Sequence, residues 1–189
     1  REYYHQNPEF MRRVYLLPRL FVVLFNLLTI YLVFLIGRYL AGDAAGLMSA
    51  AILTVCPLHA IFSHFARSDG YTAFFAAWSI YTAYEVHRKG GLREYLVAGL
   101  VAGLSTGVKY TNCLFGLATV LAFYFRRKDG RGDKGFHLAG SVVFGLVGFI
   151  IFVPAAVLNP HGQKGFYWWL DENFKQLADP AHWMPMKID

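Results

Sequence analysis

Charge is scarce in this sequence: 16% of its 189 residues are Asp, Glu, Lys or Arg, against roughly 25% in ordinary soluble domains. That scarcity argues against water as the main solvent. Cysteine is scarcer, with two residues, Cys56 and Cys113, both inside apolar segments. They read as small buried hydrophobes rather than a disulfide or a metal pair, and they do not report a redox compartment. The only close histidine pair, His59 and His64, is five residues apart. It misses the i, i+4 spacing that places two ligands on one helix face, so no metal or other cofactor is expected. No fixed-period repeat and no low-complexity tract is present. The polar opening, Arg1 to Arg13, has neither an initiator methionine nor the layout of a signal peptide, and the sequence is expected to be a piece of a longer chain.

What the sequence has in excess is apolar residues, 56% of the total, where roughly 45–50% is usual. Long apolar runs recur from Leu20 to Leu158. A soluble domain of this length hides one core and has no second place for so many runs, which leaves lipid to cover the rest. The net charge of +6 does not point to nucleic acid, because the basic residues gather in short loops between apolar spans and not along one soluble face. The expected fold is all-α, a polytopic transmembrane helical bundle.

About 20 apolar residues cross the hydrocarbon layer. Leu20 to Leu40 meets that length, with Arg38 and Asp43 marking the exit. A second span is expected over Ala44 to Phe65 with Pro57 near its far end, and a third over Tyr71 to Val86. The run from His87 through Arg93 is a polar loop. Tyr95 to Phe125 contains one charge, Lys109, within the polar break Ser105 to Asn112. As a single helix this stretch would measure about 46 Å, too long for the bilayer without strong tilt, so two short spans are expected. Phe136 to Leu158 is the sixth.

Six spans sort the loop charges. Arg38, then Arg88, Lys89 and Arg93, then Arg126, Arg127, Lys128, Arg131 and Lys134 fall on one side, and Arg67 and Lys109 on the other. The positive-inside tendency makes the nine-charge side cytoplasmic. Residues 1–19 are then a non-cytoplasmic juxtamembrane segment, 20–158 the transmembrane domain, and 159–189 a non-cytoplasmic loop. That loop carries Phe166, Tyr167, Trp168, Trp169 and Trp183, which suits either an interfacial segment or an ordinary connection to a further helix.

Ionisable groups near a membrane are costly and usually face a cavity or pathway. On the outer face these are Arg19, His59, His64, Arg67, Asp69 and Lys109, with Tyr110 beside the last. Asp69 serves either as an N-cap of the third span paired with Arg67 at the membrane edge, or as part of a site. Lys109, between two glycine-flanked apolar segments, either snorkels to headgroups or meets an anion. Arg19, after Pro18, is either a headgroup anchor or a phosphate ligand.

The run Gly37-Arg38-Tyr39-Leu40-Ala41-Gly42, then Cys56-Pro57, then Phe65-Ala66-Arg67-Ser68-Asp69, resembles glycosyltransferase family 39. That family includes the protein O-mannosyltransferases and the lipid A aminoarabinose transferases and has the GT-C fold. Ala102 to Thr111 also resembles the family's glycine-rich helix followed by a lysine. Each motif is loose alone; their order and spacing over about Arg19 to Leu158 carry the likeness.

The resemblance implies transfer of a sugar from a polyprenyl-phosphate donor to a protein, lipid or glycan acceptor on the non-cytoplasmic face of a plasma or ER membrane. On that reading Asp69 and Arg67 are catalytic, and Arg19, Lys109, Tyr110 and His64 bind substrate. The family's catalytic base is an aspartate in the first outer loop. Arg1 to Arg13 offers Glu2 and Glu9 but no aspartate, so this stretch alone is expected to be inactive. Two readings compete. A secondary transporter would also break short spans around a charge, although here the charges gather at one face and no inverted repeat is visible. A non-catalytic membrane subunit would tolerate neutral residues at Arg19, Arg67, Asp69 and Lys109.

Overall fold

The computed structural model describes the backbone of residues 8–64, 68–131 and 134–154, and the side chains of those ranges from residue 16 onward except 64, 68 and 69. Arg67 and the expected loop 159–189 lie outside the described residues. Among the described residues every regular element is a helix.

Helix α1 runs over Pro8–Ala41, and its part Leu16–Ala41 is predominantly apolar. Those 26 residues reach about 39 Å, enough to cross a bilayer. It stops at Gly42, whose φ of 88° lies in the left-handed region that only glycine enters without strain. Arg38 Nε meets Asp43 Oδ1 at 2.6 Å across this exit. Helix α2, Asp43–Val55, returns along α1, and α3, Pro57–His64, follows it.

The expected second span is therefore not one straight helix: α2 and α3 meet at a 64° bend. The physical cause is Pro57, whose ring pushes the preceding Cys56 into extended backbone, at φ −66° and ψ 117°. Helix α4 is Ser68–Lys89 and α5 is Leu92–Val108; a 3-10 turn, Tyr110–Phe115, leads into α6, Gly116–Lys128, and α7 is Gly135–Phe152. The stretch from Tyr95 to Phe125 is thus broken as expected. Lys109 is extended at φ −152° and ψ 123°, and the carbonyl of Ser105 accepts from Lys109 N at 3.2 Å, its ordinary helical donor, and also from Asn112 Nδ2 at 3.1 Å. A broken helix inside a membrane needs such internal partners.

Among the described residues, two helices are long and apolar enough to cross a membrane, Leu16–Ala41 and Gly135–Phe152, or three if the bent pair counts as one span. Length and apolarity alone do not reach six. Helix α5 has 17 residues and α6 has 13. Helix α4 spends its length on residues such as Ser79 and Thr82, which are buried against neighbours and bonded to the carbonyls of their own helix. Large apolar side chains stand exposed on α1 and α7, among them Leu20, Phe21, Val143 and Ile151. A patch of that size in a monomer calls for lipid or a partner.

The helices pack so that two ends of the bundle are distinct. Helix α5 lies closest to α7, with backbones in contact at Gly99, Gly103 and Gly148. Phe25 of α1 meets the rings of Tyr71, Phe74 and Phe75 on α4, and Phe75 meets Phe152 at the end of α7. Val108 packs on the same cluster. At the opposite end Tyr39 stacks on Tyr84 at 5.6 Å and lies under the Arg88 guanidinium. There Arg126, read from sequence only as a loop charge, is 6% exposed and donates to the His87 carbonyl at 2.5 Å. Arg131 donates to the same oxygen at 3.3 Å. A cation at a helix C-terminus is favourable, and here two arginines finish α4 and tie the loop after α6 to it.

Candidate functional site

A chain of contacts locates the end of the bundle that holds the sequence-derived candidates. Arg19 follows Pro18, whose carbonyl accepts a long hydrogen bond, 3.5 Å, from the Tyr71 hydroxyl at the start of α4. From Tyr71 the rings of Phe25 and Phe75 lead to Phe152. A Cβ on Gly107 would stand 2.6 Å from Phe152 Cβ, and Gly107 lies two residues before Lys109. Arg19, the first turn of α4 and Lys109 therefore share one end, while Arg88 and Arg126 occupy the other. Asp69 is the second residue of α4, inside the first turn and not at its cap, and His64 closes α3; their side chains are not described.

Lys109 is exposed at the break and Tyr110 is half-buried. Both make further interactions with their surroundings. The Tyr110 ring lies 6.0 Å from that of Phe149 on α7. Tyr110 also closes one end of an apolar groove of about 590 Å³. Its floor is the small-residue face of α5, Gly99, Ala102, Gly103 and Thr106, and its walls are α6 and α7, which have little contact with each other. With glycine and alanine below and leucine and valine at the sides, the groove offers almost no hydrogen bonding and suits a hydrocarbon chain.

This groove was missed in the sequence, although its signal is there. Gly99, Gly103 and Gly107 recur at i, i+4 and i+8 on α5, the small-residue spacing that lets membrane helices approach closely. Asn26 was missed too: it is a single amide in an apolar span, 3% exposed, and it lies against Gly70. His59, one of the outer-face candidates, sits within α3 with Nε2 buried and unpartnered among the described residues. Among those residues no three of His, Cys, Asp and Glu converge in a metal-ligand set.

Residues 16–157 match the family described as dolichyl-phosphate-mannose-protein mannosyltransferase. No curated protein and no solved structure matches the chain.

Proposed function

Because the chain belongs to the dolichyl-phosphate-mannose-protein mannosyltransferase family, we propose that it moves a mannose-type sugar from a polyprenyl-phosphate donor to an acceptor at the non-cytoplasmic face of a membrane. The observation that carries this reading is the placement of Lys109 at an unwound break beside Tyr110, which closes an apolar groove of about 590 Å³. A lipid-linked donor has two unlike halves, a hydrocarbon chain and a charged phosphate sugar. The groove suits the first and Lys109 the second. From Gly99 to Thr106 its floor covers about 10 Å of helix, room for part of such a chain.

In the transfer, the bond from sugar C1 to the phosphate oxygen breaks as the acceptor hydroxyl oxygen attacks C1 and gives up its proton to a general base. Negative charge grows on the departing phosphate. An ammonium already in place stabilises that charge more than it stabilises the intact donor, which is how a positioned cation accelerates the step. Arg19 shares this end of the bundle and supplies a second cation. Asp69 and Arg67 complete the site, the carboxylate orienting the acceptor or balancing the charge beside the phosphate, and His64 and Tyr110 contact the sugar end.

The topology that goes with this reading is six crossings, with α2 and α3 together as one, α5 and α6 as two short ones, and the arginine-rich turns on the cytoplasmic side. Arg126 and Arg131 on the His87 carbonyl hold the loops after α4 and α6 together, which supports their being on one side. The protein is then a multi-pass membrane enzyme whose partners are the lipid-linked sugar, its acceptor and the surrounding lipids.

Donor affinity of the full-length Lys109→Met variant tests the proposal. A charge-assisted hydrogen bond contributes roughly 1.5–3 kcal/mol, so the dissociation constant for polyprenyl-phosphate mannose should rise about 10- to 100-fold. Lys109 is exposed, so the variant should still fold, and its melting temperature is measured beside the affinity. Unchanged affinity in a folded variant would remove Lys109 from the site.

A further inference from the structure

Helices α5 and α7 run side by side in the same direction. A Cβ on Gly99 would meet the Ser141 carbonyl, one on Gly103 the Gly145 carbonyl and one on Gly107 the Phe152 side chain, so the two helices advance together. The same register carried back to the start of the pair brings Lys134, the residue before α7, within about one turn of Arg93 in the first turn of α5. Both belong to the end of the bundle that holds Arg88 and Arg126. Other cations there are already engaged: Arg88 and Lys89 pair with Glu85, and Arg126 and Arg131 donate to the His87 carbonyl. Arg93 and Lys134 are exposed and make no ion pair among the described residues. The Glu94 carboxylate lies against Gly91, where it favours the open N–H groups at the start of α5. From Arg93 an apolar cleft of about 270 Å³ runs along the seam of the two helices, lined by Leu92, Leu96, Val97 and Leu100 of α5 and Phe144 of α7. Arg93 contributes its hydrocarbon stem, since no polar atom faces the cleft. Leu92 to Leu100 covers about 12 Å of helix.

We propose that this cleft binds an anionic phospholipid, with one acyl chain along Leu96, Leu100 and Phe144 and the phosphate held by Arg93 and Lys134. Each half of the ligand has its counterpart: the cleft takes hydrocarbon, and two cations stand at its mouth. A soluble anion would gain nothing from the apolar part, and a zwitterionic lipid would bring its own ammonium against the two cations. Basic pockets between membrane helices take anionic headgroups for this reason. The cleft shares no lining residue with the groove that Tyr110 closes. The inference requires this end to lie at a membrane surface and uses no residue of the transfer site.

The test gives delipidated full-length protein, in a neutral detergent, phosphatidylglycerol or phosphatidylcholine with the same chains. Bound lipid is measured by native mass spectrometry, and each variant is melted to confirm that it is folded. Wild type should bind phosphatidylglycerol about 30-fold more tightly than phosphatidylcholine, the preference expected from two cations near a membrane surface. Arg93→Gln combined with Lys134→Gln should abolish that preference. Arg127→Gln combined with Lys128→Gln removes the same charge from α6 and should keep the preference within about twofold. Leu96→Trp, which fills the cleft and leaves both cations, should weaken phosphatidylglycerol by about 10-fold; if it does not fold, Val97→Phe is measured in its place against the same criterion. Equal affinity of wild type for the two lipids overturns the proposal. An equal loss in the α6 variant overturns it as well, because the attraction would then be diffuse charge and not a site. Unchanged binding to the filled cleft overturns the seat of the acyl chain and with it the proposal.

Discussion

Asp69→Asn in the full-length protein should lower turnover about 100-fold, the scale usual for the loss of one positioned charged group, and leave the protein folded. The two roles open to Asp69 part company at this substitution. Asp69 is the second residue of α4, and a carboxylate in a first turn gains roughly 0.3–1 kcal/mol from the helix N-terminus. Asparagine loses that charge term and keeps nearly the same size and shape. For a chain of this size the melting temperature should then fall by no more than about 3 °C. A purely structural aspartate predicts the same small loss of stability and no loss of turnover. Kinetics and melting are measured on the same preparation, and near-wild-type turnover returns Asp69 to the helix end.

Gly103→Leu should be the most damaging single change to the fold. A Cβ on Gly103 would overlap the carbonyl oxygen of Gly145, and one on Gly99 would overlap that of Ser141. These are backbone atoms, which cannot swing aside as a side chain would. Four extra carbons at Gly103 must force α5 and α7 apart, and with them the most extensive helix contact in the bundle. Overpacking a core usually costs roughly 1–3 kcal/mol, and a rigid neighbour places this case at or beyond the upper end. A fall of about 10 °C in melting temperature, or no folded protein, is expected. Gly135→Ala is the control, since nothing lies within 4 Å of its Cβ position. Equal melting of the Gly103→Leu variant and wild type would mean that α5 and α7 are not packed backbone to backbone.

The parts of this fold that were legible in the sequence are those set by local chemistry. The break at Lys109 could be read because seven of the eight residues from Ser105 to Asn112 are polar or glycine, a poor continuation for an apolar helix. Helix α1 could be read from its long, predominantly apolar run. Pro57 was visible, but its consequence was underestimated: the restraint it places on Cys56 turns one expected span into two helices at 64°. Tertiary contacts were less legible. Arg126 looks like its neighbours Arg127 and Lys128 in sequence, and only the fold shows that it reaches the His87 carbonyl. The groove depends on α6 and α7 leaving α5 uncovered between them, a relation among three helices that no local pattern states. Asn26 was hidden for a different reason, since one amide among some twenty apolar residues does not change the assignment of a span. The candidates Arg19, Lys109 and Tyr110 were found because charge and aromatic hydroxyl are conspicuous in so apolar a chain, and the structure places them at one end of the bundle with the start of α4.

The central claim is that the sugar arrives on a lipid phosphate. The measurement that tests it most directly supplies the full-length protein, in proteoliposomes, with labelled mannose carried either on polyprenyl phosphate or on a nucleoside diphosphate, together with a hydroxyl-bearing acceptor peptide. The expected result is labelled peptide from the lipid-linked donor alone, with the label lost in Lys109→Met at limiting donor. Labelled peptide from the nucleoside-diphosphate sugar, in vesicles free of polyprenyl phosphate, would contradict it.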